Sequence, residues 1–221
     1  MDSSLIQTVA VYALPVLLAI TLHEAAHGYV ARIFGDNTAY MLGRVSLNPL
    51  RHVDPIGTVA VPLLMYFLTK GQFVFGFAKP VPVAFNHLRN PRWHGMWVAL
   101  AGPGSNIVQA LLWAIVAVGL AWLQVVGSFW NEMARAGVIV NVVMAAFNLF
   151  PIPPLDGGRV LTALLPQRIA PFVSRIEPFG IFIVLALVAA NVITDFWMRP
   201  VMTALLSIVE LMLRPVMWLL H

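Results

Sequence analysis

The chain has 221 residues, is 60% hydrophobic and only 10% charged, and has a mean hydropathy of +0.86. Soluble domains carry about a quarter of their residues as charges, so this composition excludes one and points to a polytopic membrane protein in a single integral domain, residues 1–221. Without cysteine it can form neither disulfides nor Cys-based zinc sites, and its net charge of +4, scattered through short loops, argues against a nucleic-acid partner.

The first apolar run covers residues 5–34, and between Leu5 and Leu22 it carries no formal charge. It lacks a basic leading region, so it reads as a helix of the protein and not as a signal peptide. It runs straight into His23-Glu24-Ala25-Ala26-His27-Gly28. On a helix His23 and His27 stand about 6 Å apart along the axis and about 40° around it, a spacing that lets two ring nitrogens grip one metal ion. Glu24 lies beside them, placed to take a proton from water at that metal. Ionisable side chains inside a membrane span are costly, so three together call for a function.

Residues 41–50 read as extended, as do 72–77 and 79–83, where Pro80 and Pro82 suit a sheet edge because they cannot donate to a ladder. Residues 55–69 are apolar but short for a span. Clear spans follow at 93–123, 133–150, 178–192 and 200–220. The expected fold is all-α: about five spanning helices, a re-entrant segment at 55–69 and a small β-hairpin or edge-strand region. Near Ala101-Gly102-Pro103-Gly104-Ser105-Asn106 the small residues permit close helix approach, and Asn106 reads as helix packing.

Two histidines leave a zinc ion short of ligands, since catalytic zinc sites usually have three from the protein. The third is expected from Pro151-Ile152-Pro153-Pro154-Leu155-Asp156-Gly157. Its prolines end the helix near Phe150 and put Asp156 on irregular backbone, tolerated at membrane depth only where it lines a cavity or is buried in protein. Alone, Asp156 reads equally as a helix N-cap; paired with the histidines it reads as a ligand.

Topology follows from the charges. With an outer N-terminus and a re-entrant 55–69, the inner side receives Arg44, Arg51, Lys70, Lys79, Arg89, Arg92, Arg159, Arg168 and Arg175, while Arg135 and Arg199 fall outside. That arrangement also brings His23, His27 and Asp156 to one depth. A full crossing at 55–69 would separate them by roughly a bilayer thickness. His52, His87, His94 and His221 lack a partner spacing and read as structural, and Glu210 with Arg214 reads as a pair on one helix face.

In motif order and spacing over residues 15–165, the chain resembles the site-2 protease family of intramembrane zinc metalloproteases. The marks are the His23–Gly28 motif, Ala101–Asn106, and Asn148 with Pro151–Gly157; Gly43-Arg44 to Gly57 and Phe77–Val83 resemble the compact prokaryotic branch. No PDZ or CBS module is recognisable. The resemblance implies a catalytic core over about 5–165, extra C-terminal helices over about 178–220, and one Zn²⁺ per chain held by His23, His27 and Asp156. Glu24 would be the general base. The reaction implied is peptide hydrolysis within or next to a transmembrane segment of a substrate protein, in a prokaryotic plasma membrane, with the site toward the cytoplasm. Asn148, and Arg44 beside an expected edge strand, are the candidates for contacting substrate. A zinc hydrolase of lipid or prenylated substrates and a non-catalytic metal-binding or transport protein are the competing readings; intact His23, Glu24, His27 and Asp156, clustered at one depth, favour the protease.

Overall fold

A computed structural model describes residues 3–52, 54, 57, 60, 67, 79–125 and 127–220. Its main elements are α1 (Ser3–Ile33), α2 (Thr38–Met41), α3 (Pro91–Trp122), α4 (Phe129–Asn148), α5 (Asp156–Leu164), α6 (Ala170–Ser174), α7 (Glu177–Ala189) and α8 (Arg199–Leu220). Among the described residues, three stretches are long and apolar enough to cross a membrane: Ile6–Ile33, Pro91–Trp122 and Thr194–Trp218. The protein is an all-α membrane protein, and its lipid-facing positions show the composition expected of one. Ile6, Val9, Leu14 and Leu17 on α1, and Val108, Leu112 and Val116 on α3, point outward, because apolar side chains gain nothing by hiding from hydrocarbon.

What holds the helices together is small-residue packing. Ala110 and Ala114 of α3 meet Ala145, Ala146 and Val142 of α4, and Leu205, Val209 and Leu213 of α8 close the cluster. Gly137 of α4 takes the Trp113 ring so closely that a Cβ there would fall 2.3 Å from it. Close backbone approach of this kind replaces the hydrophobic drive that is missing between helices in lipid. Asn90 and Ser128 start α3 and α4 as N-caps, accepting from the Trp93 and Asn131 amides respectively.

The two flanks of the 55–69 segment lie at one end of the bundle. Arg89 bonds the carbonyls of Ile33 and Phe34 through its side chain and its amide, and the Phe34 and His94 rings stack with centroids 4.2 Å apart. The chain thus leaves α1 and enters α3 on the same side. The expected re-entrant segment at 55–69 and strand at 72–77 fall outside the described residues, apart from isolated positions in the former.

Asp36 fastens this end. It is fully buried and accepts from the Thr38 amide and hydroxyl and from the Ala84 amide at 2.7 Å, with His87 Nδ1 3.6 Å away. Burial by itself raises the carboxyl pKa, but the Thr38 and Ala84 bonds and the His87 charge outweigh it and hold the group below its usual value.

Two expectations are corrected. Among the described residues there is no strand: 42–48 is turn and bend, Pro49–Arg51 is a 3₁₀ turn started by the Asn48 side chain, and 79–84 pairs with no ladder. The expected hairpin is replaced there by side-chain clamps, with Arg44 on the Lys79 and Pro80 carbonyls and buried His52 on the Ser46 carbonyl. The span expected at 178–192 is only the 13-residue α7. At about 1.5 Å per residue it covers some 20 Å, less than a hydrocarbon core. The Pro153 carbonyl lies against Gly180 near its start, and Trp197 beyond it donates to the Ala146 carbonyl at 2.8 Å. Both contacts lie near the C-terminal end of α4, so α8 begins there, and Arg199 lies at the same end of the bundle as Asp156 instead of opposite.

Candidate active site

The site is built where α1 lies against α3. His23 and His27 sit one turn apart on α1, and the facing stripe of α3 carries Val98, Gly102 and Asn106 at the same i, i+4 spacing. The helices match residue for residue. His27 Nδ1 is 2.7 Å from the Val98 carbonyl, and His23 Nδ1 is 2.7 Å from Asn106 Oδ1. Gly102 fits between: a Cβ on it would lie 2.4 Å from His27 Nε2 and 2.6 Å from His23 Nε2. Only a residue without a side chain leaves room for both rings.

The hydrogen-bond pattern assigns the protons. A carbonyl accepts only, so His27 carries its proton on Nδ1. Asn106 is oriented by donating its Nδ2 to Asn141 Oδ1 at 2.9 Å and to the Ala19 carbonyl at 3.3 Å, and Asn141 is oriented by donating to the Gly137 carbonyl at 2.9 Å. Asn106 Oδ1 therefore faces His23 and takes its Nδ1 proton. In the neutral rings both Nε2 atoms are then left as lone pairs, 3.1 Å apart. Two lone pairs held that close, with side-chain exposures of 6% and 12%, repel unless a cation sits between them.

Asp156 completes the constellation. The Pro-rich turn after α4 ends at Leu155, and Asp156 opens α5 with its Oδ2 3.3 Å from His23 Nε2 and 3.4 Å from His27 Nε2. That oxygen is buried and has no hydrogen-bond donor among the described residues. Atoms bound tetrahedrally at about 2.0–2.1 Å stand roughly 3.3–3.4 Å apart, so the three edges match one face of a zinc tetrahedron and leave the fourth position open. The His23, His27 and Asp156 cluster fits a single Zn²⁺.

Neighbouring backbone fixes where Asp156 stands. A Cβ on Gly157 would meet the Leu149 carbonyl at 2.0 Å, and one on Gly158 would meet the Pro153 nitrogen at 2.1 Å, so the turn folds directly onto the first residues of α5. At the other end of α5, Arg92 donates to the Ala163 and Leu165 carbonyls at 2.7 and 2.9 Å. A cation on those free carbonyls complements the helix dipole and ties α5 to the start of α3.

Glu24 is half-buried, and its Oε2 accepts from the Val81 amide at 2.8 Å. One carboxylate oxygen is thereby anchored. Gly28, the end of the motif, lets Val81 and Val45 close in; a Cβ there would meet them at 3.0 and 2.8 Å. The other expected residues stand elsewhere. Asn148 donates to the Met144 carbonyl one turn back on its own helix, at 3.0 Å, and Arg44 is engaged with the Lys79 and Pro80 carbonyls. Sequence reasoning missed the roles of Asn106 and Asn141. The available signal was an asparagine within each of two apolar helices, where an unpaired amide is costly.

The comparisons point to the same class of protein. The sequence profile of peptidase family M50 matches residues 118–190. YwhC of Bacillus subtilis, named as a zinc metalloprotease, is 36% identical over 176 residues, covering 77% of this chain and 76% of its own. Rip2 of Mycolicibacterium smegmatis, similarly named, is 30% identical over 174 residues, 77% of this chain and 63% of its own. MJ0611 of Methanocaldococcus jannaschii is 33% identical over 100 residues, 45% of this chain and 50% of its own. No solved structure shows a significant match. With its two histidines and aspartate arranged for one zinc ion and this degree of likeness to YwhC, the chain belongs to peptidase family M50, the site-2 protease family of zinc metalloproteases.

Proposed function

We propose that the chain hydrolyses peptide bonds within or next to transmembrane segments of protein substrates, with His23, His27 and Asp156 as zinc ligands and Glu24 as general base. The observation that carries this reading is the position of the ligand cluster. His23 and His27 belong to the apolar stretch Ile6–Ile33, so a bond cut there is a bond brought to membrane depth.

When bound, the zinc ion polarises the scissile carbonyl and acidifies water. The protein does the rest. The Val98 carbonyl and the Asn106 amide oxygen keep both imidazoles in the tautomer that presents Nε2. Glu24, anchored through one oxygen to the Val81 amide, accepts the proton of the attacking water on the other and delivers it to the leaving amine. A helical substrate hides its carbonyls in its own hydrogen bonds, so it has to unwind locally before it reaches this carboxylate.

We place the site on the cytoplasmic side of a plasma membrane that the chain crosses several times, as one integral domain. Arg44, Arg51, Lys79, Arg89 and Arg92 lie in the segments that gather at the site end of the bundle, the distribution of an inner face. The test is Glu24→Gln. The glutamine keeps an acceptor for the Val81 amide but cannot take a proton, so zinc content stays at the wild-type level while cleavage of transmembrane substrates falls by 10²-fold or more. Wild-type turnover in this variant defeats the assignment.

A further inference from the structure

A cavity lies beside the site and has no part in the chemistry above. It is a groove of about 210 Å³ between α1 and α3, lined by Leu18, Leu22, Gln109, Leu112, Trp113 and Val116. Five of the six are apolar. The exception, Gln109, is 5% exposed, and neither its Nε2 nor its Oε1 has a hydrogen-bond partner among the described residues. An amide in this state destabilises the helix pair that holds it, because both its donor and its acceptor have been stripped of water.

Its location gives the cost a purpose. Leu22 precedes the ligand His23, and Gln109 follows Asn106, the partner of His23, by three residues, or about 4.5 Å along α3. The groove therefore starts at the ligand cluster and runs along both helices away from the cytoplasmic end. Leu112 and Val116 are 56% and 46% exposed, so it opens sideways toward lipid.

We propose that this groove docks the transmembrane segment of the substrate, with the Gln109 amide pairing with one peptide group of its unwound stretch. The inference rests on the proteolytic reading above and adds a binding residue to it. The chemistry selects the occupant. A lipid acyl chain satisfies Leu18, Leu22, Leu112 and Val116 but leaves both halves of the amide unpaired, as does an intact apolar helix, whose backbone groups bond one another. An unwound peptide offers a carbonyl to Nε2 and an N–H to Oε1, while its apolar side chains fill the remaining volume.

The test uses the zinc-loaded Glu24→Gln protein in phosphatidylcholine nanodiscs, with a photo-crosslinking phenylalanine derivative at Val116. The probes are fluorescent polyleucine peptides of about 23 residues, long enough to span, with or without a central Asn-Gly step that unwinds the helix. The interrupted peptide is expected to crosslink. Gln109→Leu, similar in volume, lowers its apparent affinity about tenfold, the effect of losing roughly one net hydrogen bond, with zinc content unchanged. Leu112→Trp, which fills the groove without touching the amide, lowers it as well. Without peptide, Gln109→Leu raises the melting temperature, since it removes an unpaired polar group. Equal crosslinking in Gln109→Leu, crosslinks only to lipid or to the chain itself, or a lower melting temperature in Gln109→Leu overturns the proposal. Peptide binding intact in a wild type that cleaves nothing refutes the proteolytic reading instead, so the two failures are distinct.

Discussion

Gly102→Ala adds a single methyl group and tests the α1–α3 template directly. The new carbon falls 2.4 Å from His27 Nε2, 2.5 Å from His23 Cε1 and 2.6 Å from His23 Nε2. Ordinary contacts between such atoms are about 3.5 Å, so either the rings or the helix must give way by about 1 Å. The rings cannot move alone, because their Nδ1 atoms are bonded to Val98 and Asn106 on the same helix. Shifting α3 instead breaks both bonds and spoils the 3.1–3.4 Å triangle of ligand atoms. Loss of one supporting hydrogen bond to a metal-binding histidine costs about 10–100-fold in metal affinity, so with two disturbed a fall of at least about 100-fold is expected. The assay is competition for zinc with a chromophoric chelator on purified protein. Gly104→Ala is the control, on the same helix and with nothing within 4 Å of its Cβ; it should bind zinc as the wild type does. Wild-type zinc affinity in Gly102→Ala refutes the template argument.

Two further outcomes follow from the fold. The Asp36 carboxyl titrates below its ordinary value of 3.8 in the folded protein, so the unfolded chain binds its proton first. Its contribution to stability is complete above that value and is lost as pH falls through the lower folded-state value. In detergent, the wild-type melting temperature should therefore drop more steeply below about pH 4 than that of Asp36→Asn, and parallel curves would contradict the network around Asp36. The second concerns sidedness. Asn37→Cys and Asn90→Cys, introduced singly into this cysteine-free chain, should both resist an impermeant thiol reagent in intact cells and react after lysis. Labelling of only one in intact cells would mean that its flank and the other lie on opposite faces.

The sequence was most legible where chemistry and geometry coincide locally. The i, i+4 spacing of His23 and His27 needs nothing beyond helix geometry, and Asp156 announces itself through the prolines that break the helix before it. In the structure these three residues share one cluster. Partnerships across helices were hidden. Asn106 reads as packing because nothing in its neighbourhood along the chain says that it faces His23, and the orienting role of Asn141 depends on Asn106 in turn. The strands expected over 41–50 and 79–83 failed for a related reason. Alternation and prolines around 41–50 and 79–83 mark irregular backbone as well as an edge. What decides between them is the set of bonds made by Arg44, His52 and Asp36. Apolar content alone also misjudged 178–192, where the helix is ended at Ala189 and followed by a turn with Asn191 at φ 59°.

The central claim is that one zinc ion is held by two imidazoles and one carboxylate, with a fourth position left for water or substrate. Zinc K-edge X-ray absorption on the purified, zinc-loaded protein measures this most directly. The account predicts two imidazole nitrogens and about two oxygens at roughly 2.0–2.2 Å, with one oxygen lost from the first shell in Asp156→Ala. A first shell unchanged in Asp156→Ala, or one with an imidazole count other than two, would contradict it.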